Sequence, residues 1–237
     1  MSQGDLPNKP LIAHIVFRFD YGGMENGIVN VINGLADAPF RHVVIALSES
    51  TDFAARLRDD VPVFEIGKKP GKDPGAYLRL YRLLRRLRPA IVHTRNIGTL
   101  DCAFVAFLAR VPVRIHGEHG WDIHDPDGSN PKYRRLRRGL MRFVHHIVTV
   151  SQDLERWLTD SVGIAAGKIR HICNGVDTER FRPLADRPDE DEIIVGSVTR
   201  FSAIKDPMNL VEAFIEVKQA GLPVRLHMIG GGELLAE

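Results

Sequence analysis

Short apolar runs rich in valine and isoleucine alternate with helical periodicity along most of this chain, and that rhythm constrains the fold more than any other feature. Strand-like runs fall at 11–17 (LIAHIVF), 42–48 (HVVIALS), 63–67 (VFEIG), 90–96 (AIVHTRN), 111–119 (VPVRIHGEH), 146–151 (HIVTVS) and 168–174 (KIRHICN). Amphipathic stretches separate them. The first puts Met24, Ile28, Val31, Ile32 and Leu35 on one face, and a long one runs from Asp73 to about Arg88. Others cover DFAARLRD, DCAFVAFLA, a segment from about Lys132 and one from near Gln152. Continuous apolar strands alternating with helices imply an α/β fold, a doubly wound parallel sheet covered on both faces.

The rhythm breaks at Pro183 to Glu192 (PLADRPDEDE), where proline and acids displace the apolar pattern. This reads as a linker at 184–192 between a first domain, 1–183, and the start of a second α/β unit, 193–237. The second unit offers a strand, IIVGSVT, read as buried, an amphipathic helix with Leu210, Val211, Phe214 and Ile215 on one face, and a strand VRLHMIG. One strand–helix–strand unit cannot cover both faces of its own sheet.

Only two cysteines, Cys102 and Cys173, occur, so no disulfide framework is implied and a reducing cytoplasm is the default. The start, MSQGDLPNKP, lacks a basic-then-apolar pattern, and the longest apolar runs (CAFVAFLA) are too short to span a bilayer. A net charge of +2 hides two arginine-rich segments. Residues 79–88 put Leu80, Tyr81, Leu84 and Leu87 inward and arginines outward. Residues 131–143 carry Lys132, Arg134, Arg135, Arg137, Arg138 and Arg142 with no acid, interleaved with Tyr133, Leu136, Leu140 and Phe143. The first suits a solvated face and the second an anionic membrane surface. No base-reading module appears, which argues against nucleic acid.

Chemistry-bearing residues collect where strands give way to helices. Arg200 and Lys205 follow the strand IIVGSVT and precede a helix, the place where open α/β sheets bind anions. They suit a diphosphate, or else Lys205 is solvated and Arg200 pairs with an acid such as Asp206. Gly22 and Gly23 sit in the first strand-to-helix turn, either for close approach to a ligand or for a positive φ. The sequence there is not G-x-G-x-x-G, which disfavours a nicotinamide-dependent dehydrogenase. HGEHGWDIHDPD supplies His116, Glu118, His119, Asp122, His124 and Asp125 after a strand. Its spacing matches no metal motif, so the readings are one histidine in acid–base or hydrogen-bond chemistry, or a polar loop. Asn174-Gly175 is a turn signal next to the linker, and Ser151 reads as a helix N-cap.

Taken in order, these landmarks resemble family-4 glycosyltransferases, a retaining family of the GT-B fold with two Rossmann-like domains. The matching pieces are GG-x-E (Gly22 to Glu25), His119-Gly120, VSQ, NGVD, and the G-x-V-x-R ending at Arg200 with Lys205 five residues on. The glycine run Gly230, Gly231, Gly232 completes the set. GGMEN with HGEHGWD further resembles transferases of exopolysaccharide and PEP-CTERM systems. The resemblance implies a nucleotide-diphosphate-sugar donor, a saccharide or lipid-linked acceptor, no catalytic metal and no cofactor. It implies work in the cytoplasm, peripheral to the inner membrane face. Arg200 and Lys205 would hold the diphosphate, and His119 would sit by the transferred sugar. Gly22, Gly23, Glu25, Glu118 and Asn174 would line the substrate, with Gly230 to Gly232 near the nucleotide. The family's Glu-x7-Glu pair lies beyond the glycine run, and the sequence stops at Glu237 before it. A fragment with little activity alone is therefore expected. A non-catalytic sugar- or nucleotide-binding module and a GT-B nucleotide-sugar epimerase are the alternatives.

Overall fold

The computed structural model describes residues 9–122, 125–183 and 193–236. The expected linker, 184–192, lies outside the described residues. The chain divides into two compact units, Met1–Asp177 and Thr178–Glu237.

The first unit is built on seven strands: β1 (Leu11–Val16), β2 (Arg41–Ala46), β3 (Val63–Glu65), β4 (Ile91–Arg95), β5 (Val113–Glu118), β6 (His146–Thr149) and β7 (Ile169–His171). All pair in parallel, in the order β3-β2-β1-β4-β5-β6-β7. The order therefore reverses between β1 and β4. At such a switch point the connections leave in opposite directions and open a crevice beyond the strands' carboxyl ends.

Six helices connect these strands: α1 (Gly23–Gly34), α2 (Pro74–Leu87), α3 (Ile97–Leu100), α4 (Cys102–Leu108), α5 (Pro131–Leu140) and α6 (Gln152–Trp157). DFAARLRD forms a 3-10 turn, Asp52–Arg56, rather than an α-helix. Local chemistry sets the ends of α2. Asp73 accepts the Ala76 N–H at 3.1 Å, Pro74 opens the first turn, and Arg88 takes a left-handed conformation (φ 48°) to close the last.

Apolar layers cover both sheet faces, as the strand composition requires. On one face Ala13, Ile15, Val43, Ile45 and Val92 pack with Leu80 and Leu84 of α2 and Cys102 and Ala106 of α4. On the other, Val16, Val44 and Ala46 pack with Ile28, Val29 and Ile32 of α1. The buried stripe of α1 is thus rotated from the predicted one, leaving Val31 and Leu35 exposed. A third cluster, with Ile147, Trp157, Leu158 and Ile169, closes the β6–β7 end.

In the second unit β8 (Ile193–Val198) and β9 (Val224–Ile229) pair in parallel and α7 (Pro207–Gln219) connects them. The expectation that IIVGSVT is buried fails here. The paired residues Val198 and Ile229 are 81% and 62% exposed, because one helix screens one face of a two-stranded ribbon and nothing described covers the other. On α7, Leu210, Val211 and Phe214 are half-buried and Ile215 is exposed. Among the described residues no helix is long and apolar enough to cross a membrane.

Candidate active site

The first unit's candidate residues gather at the switch point. β1 leads into the loop carrying Gly22, Gly23 and Glu25, which starts α1. β4 ends at Arg95, with Asn96 next, and β5 ends at Glu118, with His119 next. Asn96 joins the three. Its side-chain oxygen accepts the His119 backbone N–H at 2.7 Å, and its own N–H donates to Gly117 O at 2.8 Å. Its amide also approaches Met24 Sδ at 3.8 Å. Asn96 adopts φ 54°, a left-handed conformation that a non-glycine residue takes only when surrounding bonds fix it. Sequence reading missed this residue; Asn just after a strand, a residue type enriched at positive φ, was the available signal.

Neither Gly22 nor Gly23 has a positive φ, which removes the turn-strain reading. At Gly22 the Glu25 carboxylate folds back over the helix N-cap into the space where a Cβ would begin. Glu25 thus sits as the N3 acid of α1, beside the N–H groups of its first turn. Gly23 differs, since among the described residues nothing beyond its chain neighbours and its own helix's backbone lies within 4 Å of where its Cβ would be. That side of the helix start is open to something from outside.

His119 is half-buried, and neither ring nitrogen has a partner among the described residues. Burial, then the Arg95 charge and His116, push its pKa down to about 4. The ring is neutral near pH 7, so it can offer a hydrogen bond without a standing charge. Gly117 makes room for it: a Cβ there would stand 2.7 Å from His119 Nε2 and 3.2 Å from His93 Nε2.

Behind this site runs a polar seam that the sequence reading did not anticipate. His42 Nδ1 lies 3.1 Å from His14 Nε2, and Arg95 Nη2 lies 3.2 Å from both His14 Nδ1 and His93 Nδ1. Burial, then Arg95, holds His14 and His93 well below the ordinary histidine range. Burial lowers Arg95 itself to about 9. The signal available was period-two placement: His14, His93 and Arg95 all point to one sheet face, in strands whose other positions, Thr94 aside, are apolar.

Glu118 and Arg137 require a correction. Glu118 was expected at the substrate and Arg137 at a membrane, but they are 0% and 2% exposed and bond to each other, Arg137 Nε to Glu118 Oε1 at 2.8 Å. Strand alternation turns Glu118 to the face opposite His119, and the inward side of α5 delivers Arg137 to it. Burial alone would raise the Glu118 carboxyl; His116 and Arg137 outweigh it and hold it below the usual range. The Arg137 guanidinium also lies 4.9 Å from the Trp157 ring.

Of the other basic positions, Arg134 donates to Gly128 O and Arg138 to Val162 O, both at 2.6 Å. Lys132, Arg135 and Arg142 are exposed. Asp125 is buried and accepts the Asn130 N–H, so the polar loop reading holds for it, while His124 lies outside the described residues. Asn174 is exposed in the segment after β7. Among the described residues no group of three or more His, Cys, Asp or Glu gathers as a metal site.

In the second unit Arg200 follows β8 and Lys205 closes a 3-10 turn (Ala203–Lys205) before α7, both exposed. Asp206 accepts the Asn209 N–H as the N-cap of α7. The glycines have an internal duty as well. A Cβ at Gly230 would overlap Thr199 O, and one at Gly232 (φ 149°) would overlap Phe201 O. They let the end of β9 bind the Arg200 loop, with Phe201 N–H donating to Gly231 O at 2.9 Å. Gly231 faces open space.

The sequence profile described as Glycosyltransferase Family 4 matches residues 21–180. The UDP-Gal:alpha-D-GlcNAc-diphosphoundecaprenol alpha-1,3-galactosyltransferase of Escherichia coli is 28% identical over 178 residues, 69% of this chain and 46% of that enzyme. EpsF of Bacillus subtilis, provisionally described as a glycosyltransferase, is 28% identical over 150 residues, 57% of this chain and 38% of EpsF. The chain thus spans less than half the length of either relative. Among solved structures, Anabaena HepE in complex with UDP-glucose superposes with a TM-score of 0.72 at 19% identity, over 96% of this chain and 62% of HepE. TarM superposes at 0.71 and 10% identity, over 96% and 72%. These neighbours have the GT-B fold, and this chain shares it. A parallel sheet with its polar loops at the switch point, and a profile matched over more than half of the residues, lead to one conclusion: the chain belongs to Glycosyltransferase Family 4.

Proposed function

We propose that this chain carries the sugar-transfer machinery of a retaining glycosyltransferase, which moves a sugar from a nucleotide-diphosphate donor to a saccharide or lipid-linked acceptor. The domain expected at 1–183 takes the acceptor side, and 193–237 takes the donor side. The supporting observation is the convergence of the open Gly23 helix start, the Asn96 clasp and the neutral His119 ring beyond the carboxyl ends of β1, β4 and β5. His119 hydrogen-bonds the transferred sugar without adding charge. Arg200 and Lys205 hold the diphosphate and neutralise the charge that grows as it leaves. Asn174 and the open Gly231 edge contribute to the substrate and nucleotide. The acceptor's lipid end keeps the protein peripheral to the cytoplasmic membrane face.

Arg200→Ala is expected to lower turnover about 100-fold, the effect of removing one preorganised donor. The melting temperature should hardly change, because Arg200 is an exposed loop residue. Transfer from a radiolabelled donor gives the rate, and the anomeric configuration of the product tests retention. An unchanged rate removes Arg200 from the site, an inverted product excludes retention, and acceptor binding without transfer favours a binding module.

A further inference from the structure

The face formed by α2, α4 and the end of α5 joins apolar and cationic chemistry more closely than a solvated surface requires. Between α2, α4 and the end of α5 lies an open groove of about 650 Å³, lined by Tyr77, Leu78, Tyr81, Phe104, Leu108 and Leu140. Around it Leu78, Phe107 and Leu108 are 48%, 46% and 49% exposed, and Phe104 and Leu136 are exposed too. An exposed apolar surface this continuous marks an interaction site in a water-soluble fold. Its one lining carboxylate, Asp101, accepts the Tyr77 hydroxyl.

The elements that form the groove also carry exposed cations. Helix α2 carries Arg79, Arg82, Arg85 and Arg86 with no acid, and its outward stripe is Leu78, Arg82 and Arg85. Helix α5 and the turn after it contribute Lys132, Arg135 and Arg142, again with no acid. Among the described residues none of Arg82, Arg85, Lys132, Arg135 and Arg142 lies within ion-pair distance of a carboxylate. Arginine and lysine stems can lie along apolar surface while their heads reach phosphate.

We propose that the α2–α4–α5 face docks on an anionic bilayer, its phosphates held by Arg82, Arg85, Lys132, Arg135 and Arg142 and its acyl chains entering the Leu78–Phe104–Leu108 groove. The charge selects this occupant. A second copy of the chain would bring the same unbalanced cations against themselves, whereas an anionic leaflet neutralises them and supplies the apolar filling. The proposal rests on the membrane-peripheral reading only for its purpose, since vesicle binding is measured without any transfer and either can fail alone.

The test is co-sedimentation of the chain with phosphatidylcholine vesicles that contain or lack phosphatidylglycerol. Binding only to the anionic vesicles, weakened by salt, is expected. At about 1 kcal/mol per cation near such a surface, the Lys132→Gln, Arg135→Gln, Arg142→Gln variant should bind about 100-fold more weakly. Leu78→Gln with Leu108→Gln should lose roughly tenfold, at unchanged helix content, because two half-exposed leucines no longer enter the bilayer. Equal binding with and without phosphatidylglycerol overturns the proposal. So does full affinity in the leucine variant, which would describe a general polyanion surface. A dimer that the leucine variant dissolves, with no vesicle binding, would assign the face to a second copy.

Discussion

Acidification from about pH 7 to about pH 4.5 is expected to unfold the first unit cooperatively, well before its carboxylates are titrated as a class. His14, His93 and His119 are held below the ordinary histidine range by burial and by the Arg95 guanidinium, His119 at about 4. The sign follows from which state binds the proton. An unfolded histidine takes one near pH 6.5, and the folded rings do so only at lower pH. Their contribution is therefore complete above about pH 6.5 and declines as pH falls towards the folded values. Each such group adds a slope of about 1.4 kcal/mol per pH unit, so three acting over one to two units rival the roughly 5–15 kcal/mol that holds a domain together.

The surroundings sharpen the effect. Charging two of these rings together sets cations against each other and against Arg95, and the opposing charge of Glu25 reaches Arg95 only as a secondary influence. Glu118, held low by His116 and Arg137, adds its own loss below the usual carboxylate range. Denaturant titrations followed by circular dichroism at a series of pH values measure the slope directly. His93→Gln should make that slope shallower by one proton. Stability that stays level between about pH 7 and about pH 5 would contradict the account.

The parallel doubly wound sheet was legible because its strands are buried on both faces and read as near-continuous apolar runs. What periodicity could not supply was direction at single positions. RIHGEH shows two histidines and a glutamate, but only the β5 pleat separates His119, at the open edge, from His116 and Glu118 in the core. Six cations between 131 and 143 look alike in sequence, yet helix phase turns Arg137 inward and leaves Lys132, Arg135 and Arg142 in solvent. Conversely IIVGSVT has a buried strand's composition but sits in a two-stranded ribbon, because burial depends on neighbours the local sequence does not encode. The Asn96 clasp was hidden for a related reason: it joins residues 24, 96, 117 and 119, which only the sheet order brings together.

Arg137→Ala should be the most damaging single substitution in the first unit, lowering its stability by about 3–5 kcal/mol. That is a fall of about 10–15 °C in melting temperature for a domain of this size. The alanine removes the guanidinium bonded to Glu118 and leaves a carboxylate with no solvent access, whose remaining paired neighbour is the His116 ring, Nε2 3.5 Å from the same oxygen. Through Trp157 the damage spreads. Its ring loses the guanidinium at 4.9 Å, and its indole N–H donates to Gly128 O at 3.0 Å while the ring meets Trp121 in a T-shaped contact. The loop beyond β5 is thereby tied to the same pair. Removing one charge and removing both should differ in kind, because a buried ion pair gains little over well-packed apolar side chains while a lone buried charge is severely unfavourable. Arg137→Met combined with Glu118→Leu should therefore recover most of the loss. A cycle of thermal melts for the parent, both singles and the double decides it. A single variant within about 1 kcal/mol of the parent, or a double variant no better than Arg137→Ala, would mean that the pair is not what holds α5 against β5.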